Sequence, residues 1–210
     1  MQVFSLNLLF YISVINNFKY KNKMQEKIII AYGLNCIDNH EYFFENAPKS
    51  IFCNECECCI DFSYLPTDFK IRNKADYSAT YDRRLISSLK FKDFIEELNF
   101  NVDFLSLNKD SSLFLMKPLE ILEFSAWKRG RFCDKCNQYN DQVVPEPDFF
   151  YKTGKIIEEG IFSTSVGFGS GKEIYPNIIL GIETAQIIKE AVKKYKFRGL
   201  SINEITSLKI

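Results

Sequence analysis

Two Cys-x-x-Cys pairs are the residues of this 210-residue chain best suited to chemistry. Cys53 and Cys56 form the first pair, Cys133 and Cys136 form the second, and a phenylalanine precedes each pair. A Cys-x-x-Cys turn places two thiolates on one edge of a tetrahedron, and two such turns supply the four sulfur ligands of a closed structural zinc site. The spacing therefore predicts one zinc ion bound by all four cysteines, with no position left for a reactive water.

The predicted metal site leaves two points open. The first cluster also contains Cys58 and Cys59, so that Cys56 and Cys59 form an alternative pair; the shared Phe-Cys-x-x-Cys pattern favours Cys53 and Cys56. The stretch between the two pairs is far longer than the ~15–20 residues of common zinc-finger spacing, so it must fold as a module that returns the chain to the site. A lost metal site, redox-active thiols in the second pair, or buried free cysteines are the alternatives.

Other chemistry finds little support in the sequence. His40 is the only histidine, and its polar context is typical of a surface residue. The segment from Gly167 to Lys172 resembles a phosphate loop, but Val166 stands where the first loop glycine should be and Glu173 replaces the Ser or Thr that would hold magnesium. A bulged hairpin loop is the preferred interpretation of this segment, and the sequence predicts no enzyme activity.

Composition limits the classes of partner and the cellular compartment that we expect. Lys plus Arg and Asp plus Glu both number 27, so no overall field attracts nucleic acid or a membrane surface, and we expect neither as a partner. Seven cysteines, most of them in two tight clusters, favour metal ligation in a reducing compartment over a disulfide framework. A cytoplasmic protein is therefore predicted, with its oligomeric state left open.

The hydrophobic pattern predicts an α+β fold with mainly antiparallel sheets, two packed helices and a zinc ribbon-like pair of knuckles. Extended segments are predicted at Lys27–Tyr32, Phe69–Arg72, Tyr77–Tyr81, Val102–Leu107, Ser112–Met116, Leu119–Trp127, Glu173–Leu180 and Leu200–Ile205. Gly33 is expected to close the first of these segments. Lys128–Arg131 is predicted to be a basic turn, and Asn140–Asp148 a loop.

Two helices are predicted from apolar residues at helical spacing. The first is capped by Ser87 or Ser88, and its apolar face is formed by Phe91, Phe94, Ile95 and Leu98. The second runs from about Glu183 to Phe197 and is expected to end at Gly199. Its predicted buried face consists of Ile187, Ile188, Ala191, Val192 and Tyr195.

The domain boundaries follow from the N-terminal residues. Val3–Ile15 is an apolar run that is shorter than the ~20 residues of a spanning helix and has no basic residue before it. Met24 opens a segment that begins like the first strand of a domain. We therefore expect residues 1–23 to be an extension outside the fold and residues 24–210 to form a single α+β domain.

Short motifs along the chain also suggest a family. In chain order they are the first Cys-x-x-Cys pair, Asp76–Asp82, the helix opening at Ser87, the second Cys-x-x-Cys pair, Phe149–Tyr151, Gly167–Gly169, Tyr175–Leu180 and Lys196–Gly199. Over about residues 50–205 this order resembles the bacterial double-CXXCG motif family, which is similar to immunity proteins of polymorphic toxin systems. The chain departs from that family after each cysteine pair, where Glu57 and Asn137 replace glycine. Asn137 tolerates a positive φ better than Glu57 does.

The resemblance implies a single α+β domain with a zinc knuckle pair and no known catalytic residues. The expected function is that of a non-catalytic, zinc-stabilised protein-interaction protein, namely an immunity protein that neutralises a cognate toxin by binding it. Acidic residues such as Glu55, Glu57 and Asp61 would face a basic toxin. The alternative is a zinc-ribbon nucleic-acid-binding module, in which the basic and aromatic segment from Trp127 to Phe132 contacts the strand.

Overall fold

A computed structural model describes residues 27–144 and 155–208 of the chain, and the predicted 1–23 extension lies outside these ranges. Strands are found at β1 (Lys27–Asp38), β2 (Tyr77–Ala79), β3 (Leu85–Ser88), β4 (Val102–Ser106), β5 (Leu113–Pro118), β6 (Glu120–Leu122), β7 (Lys128–Cys133), β8 (Gln138–Val143), β9 (Ile161–Ser170), β10 (Tyr175–Leu180) and β11 (Leu200–Leu208). The helices are α1 (Leu89–Glu97) and α2 (Ile182–Tyr195). Within the described residues, no helix is both long enough and apolar enough to cross a membrane.

The strands form one large sheet in the order β4-β5-β3-β2-β1-β10-β9-β8-β7, with β11 added on β1 and β6 on β9. Every pairing is antiparallel except β1 with β2 and β6 with β9. The predicted mainly antiparallel α+β fold with two helices is therefore confirmed. Because β1 pairs with β2, β10 and β11, it organises the sheet.

Both helices pack an aromatic and aliphatic core against the sheet. Ser88 caps α1 by accepting a hydrogen bond from the Phe91 backbone N–H at 3.2 Å, and Phe91 and Ile95 are fully buried. Phe91 meets Phe197 edge to face at 5.3 Å, which joins α1 to the end of α2. The capping and the apolar face predicted for α1 are thus confirmed.

In α2 the buried face is narrower than predicted. Ile188 and Ala191 are buried as expected, but Ile187 and Tyr195 are about two-fifths exposed. The helix ends at Tyr195 and is capped by Lys196, which adopts the left-handed conformation with φ 56°; it does not extend to Gly199. Gly199, with φ 93°, instead lies against the Tyr77 carbonyl, where the chain turns from α2 into β11.

Four other local predictions were wrong. β1 continues through Gly33 to Asp38, because β11 pairs with it as far as Cys36 and β2 pairs with Ile37 and Asp38. Phe69–Arg72 forms no strand; Phe69 is buried beside Phe43 and bonds to Leu107 through its backbone N–H. Lys128–Arg131 is not a turn but most of strand β7, and β8 occupies the first part of the predicted 140–148 loop, whose residues 145–148 lie outside the described ranges.

Candidate metal centre

The first Cys-x-x-Cys pair lies in a small hairpin within the long connection between β1 and β2. The backbone N–H of Cys53 donates to the carbonyl of Cys58 at 2.9 Å, and Phe52 forms an isolated antiparallel bridge with Cys59. The turn is closed by a bond from the Glu57 N–H to the Cys53 carbonyl at 2.9 Å, and Glu57 has φ 60°. We call the Cys53–Glu57 turn the first knuckle.

The second pair repeats this geometry at the tip of the β7–β8 hairpin. Cys133 ends β7 and is the partner of Gln138, the first residue of β8. The Asn137 N–H bonds to the Cys133 carbonyl at 2.8 Å, and Asn137 has φ 56°. We call the Cys133–Asn137 turn the second knuckle. The two knuckles therefore share one backbone design, although neither carries the glycine that the left-handed position favours.

The knuckles face each other and bring four sulfur atoms together. The Cys53 and Cys133 sulfurs are 3.8 Å apart, and those of Cys56 and Cys136 are 3.4 Å apart. All four sulfurs lie within 4.8 Å of one another. Four sulfurs bound tetrahedrally to one zinc ion at about 2.3 Å would lie about 3.8 Å apart. The cluster can therefore hold a single metal ion, and the structure brings together all four residues predicted to bind it.

Ionisation of the four thiols is uneven. The backbone N–H groups of Cys56 and Glu55 point at the Cys53 sulfur and lower the pKa of Cys53 to about 7. Desolvation, together with the neighbouring thiols, raises the pKa of Cys136 to about 12. Negative charges so close together oppose one another, so four thiolates require a cation among them. Cys53 and Cys133 are buried, whereas Cys56 and Cys136 form the more exposed side of the cluster.

The remaining cysteines lie outside the cluster. Cys58 is buried beside the Tyr139 carbonyl, 3.9 Å from its sulfur, and desolvation raises the pKa of Cys58 to about 12. The Cys59 thiol is 3.3 Å from the carbonyl of Asp61. Cys36 lies in β1, where burial raises its pKa to about 12. The alternative pairing of Cys56 with Cys59 is therefore not the arrangement in this structure.

Contacts other than sulfur also hold the two knuckles together. The Gln138 side-chain amide donates to the Cys59 carbonyl at 3.2 Å. Lys135 and Glu55 form an exposed ion pair at 3.7 Å, which contributes little by itself. The Lys172 ammonium lies 4.7 Å from the centre of the Phe52 ring. The contacts of Gln138 and Lys135 orient the β7–β8 hairpin on the first hairpin, whereas Lys172 reaches the first hairpin from the turn between β9 and β10.

Arg84 packs against this region, and its structural importance was not predicted from the sequence. Its side chain is buried, and the guanidinium lies between the rings of Phe44 and Tyr175, at 4.6 and 4.5 Å from their centres. One guanidinium nitrogen donates to the Asp82 carbonyl at 3.0 Å. Arg84 also lies beside the Cys59 thiol. Sequence carries no local signal for such a residue, because an arginine next to a turn is ordinarily solvated.

The two other sequence candidates do not join the metal centre. His40 is exposed, and its Nδ1 is 2.9 Å from the Tyr81 hydroxyl. Gly167 and Gly169 belong to β9, where they allow close approach to the start of β10. A Cβ on Gly169 would lie 2.7 Å from the Glu173 carbonyl oxygen, so this glycine serves the tight β9–β10 hairpin. The predicted hairpin is observed, but Gly167–Ser170 form the end of β9 and the turn itself is Gly171–Glu173. The register shift lies between Pro176 and Ile178, outside the predicted loop.

No family model, curated protein or solved structure matches the chain.

Proposed function

We propose that the protein is a non-catalytic, zinc-stabilised protein-interaction protein of the immunity-protein kind, which neutralises a cognate toxin by binding it. The observation that carries the zinc-stabilised part is the convergence of four cysteine sulfurs from two knuckles that are far apart in the chain. Four thiolates fill a tetrahedral shell and leave no position for a metal-bound water. A metal held in this way acts on folding and rigidity.

Zinc is the metal proposed because the donor set is entirely thiolate. Tetrahedral sites with four sulfur ligands bind zinc or iron, and zinc is the common occupant of structural sites built from paired Cys-x-x-Cys turns. The backbone N–H groups directed at the Cys53 sulfur favour its thiolate form, which is the form that binds metal. We describe the facing hairpins as zinc ribbon-like.

The proposed metal would connect two segments that are far apart in the sequence. The first knuckle belongs to the β1–β2 connection, whereas the second belongs to β7 and β8 at one end of the sheet. The sulfur cluster ties these segments across a separation of 80 residues. Because metal-binding free energy contributes to folding, loss of the ion would loosen the connection between them. A rigid body of this kind needs no reaction centre to recognise another protein.

Two observations support toxin neutralisation, namely the resemblance to the double-CXXCG motif family and the negative charge of the first knuckle. Glu55 and Glu57 are exposed on it, and Asp61 is exposed shortly after it. These carboxylates would suit a basic partner surface and would speed association. On this proposal the protein acts in the bacterial cytoplasm.

Two measurements test the proposal. Elemental analysis of purified protein is expected to find one zinc ion per chain, and protein without stoichiometric zinc would contradict the metal assignment. Co-expression with the products of adjacent genes is expected to rescue cells from a toxin encoded beside this chain. If no neighbouring product is toxic, or if the chain gives no protection against one that is, the immunity role is wrong.

A further inference from the structure

The β7–β8 hairpin exposes a set of aromatic and cationic side chains beside the second knuckle. We call Trp127, Arg129, Phe132 and Tyr139 the aromatic face. Trp127 is 65% exposed and Phe132 is 50% exposed, which is unusual for side chains of this size. Phe132 meets Tyr139 across the strands at 5.0 Å, and the Arg129 guanidinium lies 5.2 Å from the Tyr139 ring centre. Phe132, Tyr139 and Arg129 are therefore ordered by contacts with one another, and Trp127, two residues before Arg129, is open to solvent.

Strand β7 presents several exposed side chains, namely Lys128, Arg129, Arg131 and Phe132. Arg131 has φ 49° and, unlike Gly130 and Phe132 on either side of it, is not paired with a residue of β8. Arg131 is held by Asp141, with Nε 2.7 Å from Oδ2, and Asp141 also accepts a hydrogen bond from the Ser170 hydroxyl at 2.7 Å. The exposed side chains of β7 are therefore accessible to a partner.

The composition of this face is that of a protein-binding hot spot. Tryptophan, tyrosine and arginine are the residues that most often dominate binding energy, and rigid aromatic side chains lose little conformational entropy on binding. The exposed positive charges at the face are Lys128 and Arg129, whereas the charge of Arg131 is balanced by Asp141. An apolar surface with two outward cations is complementary to an apolar surface that carries carboxylates.

We propose that the aromatic face is the docking surface for a folded protein partner, an inference that rests on the proposed function. The partner presents a carboxylate to Arg129 and an apolar recess to Trp127. This face is separate from the acidic first knuckle.

A single-stranded nucleic acid is the other ligand class that aromatic and basic side chains can bind. It fits this face less well. Phosphate binding depends on several cations that each neutralise a phosphate group. Here Arg131 is already paired with Asp141, and the chain has a net charge of +0. Too few cations remain on β7 to track a phosphate backbone.

The test uses random peptides displayed on phage and panned against the full-length chain, with counter-selection against the bare support; the enriched peptides are then measured against the Trp127→Ala variant. Enriched peptides are expected to combine Asp or Glu with apolar residues. Their affinity for the chain is expected to fall about tenfold or more for Trp127→Ala and for Arg129→Glu. Lys109→Glu is the matched control, because it makes the same charge change at an exposed residue in the β4–β5 turn. It is expected to leave binding unchanged.

Each other outcome overturns the inference. Peptides that bind the chain and the Trp127→Ala variant equally, or that are predominantly basic, would place recognition elsewhere. Concentration-dependent self-association that Trp127→Ala abolishes would make a second copy of the chain the occupant. Salt-sensitive binding of an oligo-dT strand that Arg129→Glu abolishes would make it a nucleic acid. Zinc content and unfolding midpoint serve as folding controls, since both side chains are exposed. Failure of the proposed function is detected separately, by absent zinc or absent protection from a toxin.

Discussion

Glu57 and Asn137 occupy equivalent positions in the two knuckles. Each follows the second cysteine of its pair, each donates its backbone N–H to the carbonyl of the first cysteine, and their φ angles are 60° and 56°. The left-handed conformation is thus imposed by the fold and does not depend on glycine. Asparagine adopts it at modest cost, whereas glutamate pays a larger steric penalty.

Replacing Glu57 by glycine is expected to stabilise the protein. The substitution relieves a left-handed non-glycine residue, and after the entropy cost of glycine the net gain should be about 0.5 kcal/mol. Asn137→Gly should change stability by close to zero. Denaturant unfolding of the zinc-loaded protein measures both. Glu55→Gly is the control, because Glu55 does not have a positive φ and should be destabilised by the change. Equal destabilisation by Glu57→Gly and Glu55→Gly would refute this account of the knuckle.

Replacing Cys133 by serine is expected to remove the metal and loosen the fold. The substitution takes away one of four sulfur ligands, and binding free energies of about 10–16 kcal/mol in zinc-finger peptides show how strongly such sites support folding. We expect a loss of about 3 kcal/mol or more in unfolding free energy, with bound zinc falling well below stoichiometric. Cys36→Ser is the matched control, since Cys36 lies outside the cluster, and it should retain the metal. Equal zinc content in the two variants would exclude the four-sulfur site.

The buried Arg84 should not tolerate lysine. A lysine keeps the charge but lacks the planar guanidinium that lies between Phe44 and Tyr175 and donates to the Asp82 carbonyl. The expected cost is about 2–3 kcal/mol of unfolding free energy. Arg83→Lys makes the same exchange at the adjacent, exposed position and should cost less than about 0.5 kcal/mol. Urea unfolding of both variants measures the difference, and similar values for the two would contradict the structural role of Arg84.

Gly199 is expected to be intolerant of alanine. It has φ 93°, and a Cβ there would collide with the Tyr77 carbonyl oxygen and the Ala75 side chain. The combined backbone strain and collision should cost about 2–4 kcal/mol. Gly33→Ala in β1 is the matched control, because the nearest atom to its added Cβ would be the Asn35 side-chain nitrogen at 3.5 Å. Thermal unfolding distinguishes the pair, and a midpoint for Gly199→Ala equal to that of Gly33→Ala would disprove the close approach.

Local patterns allowed the more regular parts of the fold to be predicted. The helix α1 could be predicted because its cap and its apolar spacing lie within one short segment. The β4–β5 hairpin was readable because its polar turn is adjacent to both strands. The four cysteines could be predicted as metal ligands because their type and spacing indicate metal binding whatever fold surrounds them.

Features that depend on residues far apart in the sequence could not be predicted from local patterns. Lys128–Arg131 looks like a solvated turn, because three charges in four residues are unusual in a strand, yet the segment is an exposed terminal strand paired with β8. The environment of Arg84 depends on Phe44 and Tyr175, which lie in other parts of the chain. The narrow buried face of α2 likewise depends on which residues from other parts of the chain pack against it, and periodicity alone cannot indicate that.

The pairing of β1 with both β10 and β11 has a consequence for biosynthesis. During translation β1 is made long before β10 and β11, so apart from its short pairing with β2 at Ile37 and Asp38 its edges stay uncovered until those two strands have emerged. A premature stop after α2 would leave the β11 side of β1 open and ready to pair with another nascent chain. Truncated products are therefore expected to accumulate as insoluble aggregates, and protection by chaperones during translation should matter more for this chain than its modest size suggests.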